Sequence, residues 1–128
     1  MNQPNEDLMP DDLLTEDPSK QDYEIGRILK DQAEILSQKT QGKVCGEVDL
    51  RFGLDRQLQH AFYLVAPHLD DYRYLFFYVQ HGLDEYPATI FVDKPVTVEN
   101  EAALKDALRE IFASVKFRRL VAAMSTNL

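Results

Sequence analysis

The sequence predicts an α+β domain: a helix, a four-stranded antiparallel meander, then one or two closing helices, in the order α-β-β-β-β-α-α. Three observations carry this. Apolar residues recur at three-and-four spacing near both ends of the chain and at two-residue spacing between them. Only a few turn-forming residues separate the strand-like segments, whereas a parallel pairing needs a crossover of roughly a dozen or more. The 128 residues suffice for one core but not for two.

Residues 1–20 read as a disordered acidic tail, and residues 21–128 as a single domain. The first 24 residues hold eight acids (Glu6, Asp7, Asp11, Asp12, Glu16, Asp17, Asp22, Glu24) against one base, Lys20, and so carry −7 of the chain's net −8. With Pro4, Pro10 and Pro18 and few apolar residues, the tail buries too little surface to offset its ordering entropy. It serves as a solubilising arm or docks on a basic partner. The body is nearly neutral, which argues against nucleic acid as a partner, because phosphate contact needs a basic surface.

A first helix is predicted over 21–39, where Ile25, Ile28, Leu29, Ala33, Ile35 and Leu36 trace one face. Ser19 or Asp22 is the expected cap, and Gly42 the stop. Gly26 inside this helix costs up to about 1 kcal/mol relative to alanine. Either a neighbour packs closely there, or the helix begins later.

Strands follow over 44–52, 57–66, 72–80 and 86–93. The first alternates cleanly, with Val44, Gly46, Val48, Leu50 and Phe52 opposite Cys45, Glu47, Asp49 and Arg51. The third is rich in the aromatic and branched residues that strands favour. At the C-terminal end, Leu104, Ala107, Leu108, Ile111, Phe112 and Val115 form a helical stripe. It changes phase at Phe117, Leu120, Val121 and Met124, which predicts a break near Ser114, with that serine capping a second helix.

Tracking faces across the meander gives the most informative expectation. A register that pairs Phe62 with Phe77 and Leu64 with Leu75 sends Leu58, Phe62, Leu64, Leu75, Phe77, Val79, Ala88, Ile90 and Val92 to the core. Tyr63, Val65, Tyr74, Phe76, Tyr78 and Phe91 then share the reverse face. Phenylalanines contribute on the order of 1.5–3 kcal/mol each when buried, so this face requires a cover. The candidates are the chain's own helices, one on each face of the sheet, a second copy in a homodimer, or a different protein. Tyr63, Tyr74, Phe76, Tyr78 and Phe91 are therefore the candidate interaction face.

His60 and His81 are the polar-site candidates. The same register places His60 opposite Val79, one step from His81, so the two rings approach with an acid nearby. His68 and His81 stand at opposite ends of the third strand and share no site. His68 with Asp70 and Asp71 is a turn of a kind rich in Asp for backbone reasons alone. No catalytic, metal or cofactor site is assigned, and no nucleotide-binding, metalloprotease or serine-hydrolase motif occurs. No window approaches the roughly 18 apolar residues of a membrane helix. Residues 1–7 lack a secretory signal's regions, and the lone Cys45 offers no internal disulfide. These absences point to a cytoplasmic protein with no membrane association. The sequence favours a small non-enzymatic protein-interaction domain of adaptor, inhibitor or immunity type. The alternative is a small ligand-binding or metal-dependent enzyme domain with its pocket near His60 and His81.

Overall fold

The structure is a computed structural model that describes residues 6–14 and 22–126. Most of the predicted tail (1–5 and 15–20) lies outside the described residues, as does residue 21 at the start of the predicted helix. Within 6–14, Leu8, Met9, Leu13 and Leu14 are exposed, and the Met9 amide donates to Asp7 Oδ1 at 3.0 Å. Helix α1 (Glu24–Lys39) precedes strands β1 (Cys45–Phe52), β2 (Leu58–Ala66), β3 (Tyr72–His81), β4 (Ala88–Phe91) and β5 (Pro95–Val98). Helices α2 (Glu101–Ala113) and α3 (Val115–Ser125) close the chain. The strands form one antiparallel sheet in sequence order, so the architecture is the predicted α+β meander with one strand more than expected. Among the described residues no helix is long and apolar enough to cross a membrane.

The predicted 86–93 strand is observed as the shorter β4, and the extra strand, β5, follows it after a turn in a segment for which no strand was predicted. β5 has four residues and opens on Pro95, which lacks an N–H and is tolerated at a sheet edge. It is too short to show an alternation. The predicted break between the last two helices is present. Ser114 Oγ accepts from the Phe117 amide at 3.2 Å and donates to the Ile111 carbonyl at 2.7 Å.

All three helices pack on one face of the sheet. Ile25, Leu29, Ala33 and Leu36 of α1, Leu104, Leu108 and Ile111 of α2, and Met124 of α3 join Phe62, Leu64, Phe77, Val79 and Ile90 in a single core. This corrects the expectation of one helix on each face. Connection lengths showed that the strands pair as a meander, but they hold no information on which side a helix lands.

A β-bulge corrects the face assignment of β3. Phe62 pairs with Phe77 as expected, but the register then shifts, and Tyr63 pairs with Leu75 and Leu64 with Tyr74. Phe76 is the extra residue. Phe76 and Phe77 are both buried, with their rings 5.4 Å apart and edge-to-face. Phe76 also stacks on Phe117 at 5.3 Å, and Phe62 lies parallel to Phe77 at 5.0 Å. Tyr74 and Phe76 thus belong to the helix side, while Leu75, expected in the core, moves to the reverse side and is 39% exposed.

Helix α1 crosses β1 closely, and Gly46 allows this. A Cβ there would lie 2.5 Å from both Cα and Cβ of Ala33, inside van der Waals contact with backbone. Gly46→Ala is expected to lower the unfolding free energy by about 1–3 kcal/mol through overpacking. Urea denaturation of the two proteins measures this, and a stability equal to wild type would show that α1 is free to move outward.

Candidate functional site

Two regions hold the candidate residues: the helix-free face of the sheet, and the end of the sheet where α1 begins.

The helix-free face retains three of the five predicted aromatics. Tyr78 and Phe91 stack at 4.8 Å with their planes 18° apart, and Tyr63 lies one strand over. Each tyrosine carries an arginine: Arg51 sits 5.1 Å above the Tyr78 ring, and Arg73 sits 4.2 Å above that of Tyr63. Arg51 Nε donates to Gln59 Oε1 at 2.8 Å, and Gln59 Nε2 donates to Gln80 Oε1 at 2.9 Å, a ladder running across β1, β2 and β3. Arg73 pairs with Asp49 at 2.9 Å and with Glu47 at 3.3 Å. These exposed pairs orient the guanidinium more than they stabilise the fold. The result is a half-buried surface of aromatic rings overlaid by arginines.

The second region follows from register. Leu58 pairs with His81 and His60 with Val79, so both histidines point to the helix side as diagonal neighbours. Their Nε2 atoms are 2.8 Å apart, their rings are stacked, and both side chains are almost fully buried. The expected approach of these two rings is thus present. His81 Nδ1 lies 2.8 Å from the Gly82 carbonyl, which only accepts, so Nδ1 carries the proton. With both rings neutral, His81 Nε2 is then an acceptor, His60 Nε2 donates to it, and His60 Nδ1 is left with a lone pair. Burial, followed by the neighbouring His81, pushes the His60 pKa down to about 4.

Tyr23 covers the pair, its ring 5.5 Å from His60 and 5.2 Å from His81. Gly26 lies against the other edge of His60, where a Cβ would sit 3.3 Å from Nδ1. The helical glycine flagged by the sequence therefore marks a close neighbour.

The nearby acid is Glu85, and its first task is structural. Its two carboxylate oxygens accept from the amides of Glu24 and Ile25, each at 2.9 Å, capping α1 from 60 residues away. Of the expected local caps, Ser19 lies outside the described residues, and Asp22 instead faces Arg27 at 3.6 Å. Capping by Glu85 has no local sequence signal, because it depends on the tertiary fold. Beside it, the buried Tyr86 hydroxyl has no hydrogen-bond partner among the described residues. Burial, then the carboxylates of Glu24, Glu85 and Glu101, raise its pKa to about 12. His68, with Asp70 and Asp71, lies in an exposed turn at the far end of β3. Among the described residues no three His, Cys, Asp or Glu side chains converge on a metal position.

A cleft of about 510 Å³ opens between α1 and β1, with Tyr23, Gly26, Arg27, Lys30, Leu50 and His60 among its lining residues. Sequence reasoning found His60 but missed the other polar members. Tyr23, Gly26, Arg27 and Lys30 recur at helical spacing beside the apolar stripe of α1, and that spacing was the signal available.

No protein-family model, curated protein or solved structure matches this chain.

The depressed His60 pKa makes a signed prediction. The unfolded ring titrates near 6.5 and the folded ring near 4, so in this window the unfolded chain binds more protons, and stability falls as pH falls. Between pH 7 and pH 5 this ring is expected to remove about 2 kcal/mol of unfolding free energy. Urea titrations at several pH values measure the loss, and His60→Leu should flatten the slope. An equal slope in both proteins would contradict the assignment.

Proposed function

We propose that this protein is an interaction domain of adaptor or inhibitor type that binds a protein partner through the helix-free face of its sheet. The supporting observation is the set Tyr63, Tyr78 and Phe91, left without a helix over it and overlaid by Arg51 and Arg73. Tyrosine and arginine dominate binding energy at protein interfaces, because they combine large apolar contact with hydrogen bonds at modest entropy cost. Here the cation–π contacts and the glutamine ladder hold both residue types in place before binding, which lowers the entropy lost on association. Leu75, turned outward by the bulge, extends the apolar area beside Tyr63. The acidic residues near the N-terminus add negative charge that favours a partner with a basic surface.

A second reading, a small ligand-binding domain, is favoured by the cleft between α1 and β1. Its volume falls within the roughly 300–1,000 Å³ typical of small-molecule sites, and the almost fully buried His60 lines it.

The interaction reading is tested with Tyr78→Ser in affinity capture from cell extract and in sedimentation velocity. The wild-type chain should retain a partner or a second copy. The variant should lose about 2 kcal/mol, roughly thirtyfold in affinity, with its circular dichroism unchanged. Binding that survives in Tyr78→Ser would overturn the assignment to this face.

A further inference from the structure

The cleft between α1 and β1 has a chemistry of its own, and the polar stripe of α1 defines it. Ile25, Leu29, Ala33 and Leu36 face the core, while Tyr23, Gly26, Arg27 and Lys30 line the cleft beside them. A glycine in a helix interior is unfavourable by about 1 kcal/mol relative to alanine. At position 26 it lets the helix backbone pack against the Nδ1 edge of His60, at the wall of the cleft. That nitrogen has no hydrogen-bond partner among the described residues, although its ring is only 2% exposed. The relay from His60 through His81 to the Gly82 carbonyl makes it an acceptor, so it calls for a donor from a ligand.

The charges around the cleft sort into committed and free. Asp49 is held by Arg73, and Arg51 is directed to Gln59 and Tyr78 on the other face. Lys30 has no ion pair among the described residues. Arg27 faces Asp22 at 3.6 Å, with Glu24 and Glu101 also within electrostatic range, and such solvent-screened contacts are weak enough to exchange. Two cations one helical turn apart therefore stand over a buried acceptor. A bare anion would meet the Nδ1 lone pair unfavourably, and a neutral polyol would leave the cations unused.

We propose that this cleft binds a small hydroxylated anion, a hydroxy acid or a sugar phosphate, whose hydroxyl donates to His60 Nδ1 and whose anionic group lies between Arg27 and Lys30. The inference rests on the ligand-binding reading of the cleft and names its ligand class. The low pKa of His60 keeps the acceptor available at neutral pH.

The test is a nitrogen-15 NMR titration of the full chain with glycerol 3-phosphate, lactate, inorganic phosphate and glycerol. Glycerol 3-phosphate or lactate should shift the His60 Nδ1 resonance and the Gly26 and Lys30 amides saturably, with phosphate and glycerol at least about tenfold weaker. Lys30→Gln, at an exposed position, should weaken binding by about fivefold, and Lys30→Arg should restore it. Glycerol binding as tightly as glycerol 3-phosphate would overturn the anionic half of the proposal, and phosphate binding as tightly would overturn the hydroxyl half. In either case the cleft would still be a ligand site. Silence from all four probes at those resonances would overturn the ligand-binding reading itself. Lactate and glycerol 3-phosphate together separate carboxylate from phosphate as the preferred anion.

Discussion

Adjacent residues of a strand ordinarily point to opposite faces, yet Phe76 and Phe77 of β3 are both buried on the helix side. The bulge between the Phe62 and Tyr63 pairings makes this possible, and the rest of the molecule is arranged around it. It brings Phe62, Phe76, Phe77, Phe112 and Phe117 into one connected set of rings, with centroids 5.0–6.4 Å apart. These distances suit offset and edge-to-face contacts between aromatic quadrupoles. Phe112 and Phe117 flank the Ser114 break, so the same cluster anchors the ends of both C-terminal helices.

With every helix drawn to that side, the opposite side of the sheet is left without a cover. Its remaining aromatics are then stabilised within the sheet, by arginines laid over tyrosine rings and by side-chain ladders across the strands. The helix side has its own consequence at the sheet's end. Gly46 lets α1 approach β1, Glu85 holds the start of α1, and Gly26 lets that helix pack against His60 at the wall of the cleft. The cleft reaches around the β1 edge to Asp49, Arg51 and Tyr63, so the two candidate sites meet there and share side chains.

Short-range information in the sequence was legible. Periodicity located α1, α2 and the first three strands; the phase change marked the Ser114 break; and the Phe62–Phe77 register brought His60 to His81. What stayed hidden depends on distance or on a local irregularity. A bulge inserts one residue without changing composition, and the run Tyr74-Leu75-Phe76-Phe77-Tyr78 is apolar at every position, so its alternation has no contrast from which to detect a slip. Tyr63, Tyr78 and Phe91 therefore lie on the expected side of the sheet, whereas Tyr74 and Phe76 lie on the other. The Glu85 cap joins residues sixty apart, and β5 spans only two periods of alternation.

Whether the bulge sets the two faces is decided most directly by comparing Phe76→Ala with Leu75→Ala in equilibrium urea unfolding. Removing a fully packed ring should cost about 3–5 kcal/mol, while truncating a partly exposed leucine should cost under about 1.5 kcal/mol. If Leu75→Ala proved the more damaging change, the strand would run without its bulge, and the assignment of both faces would fail.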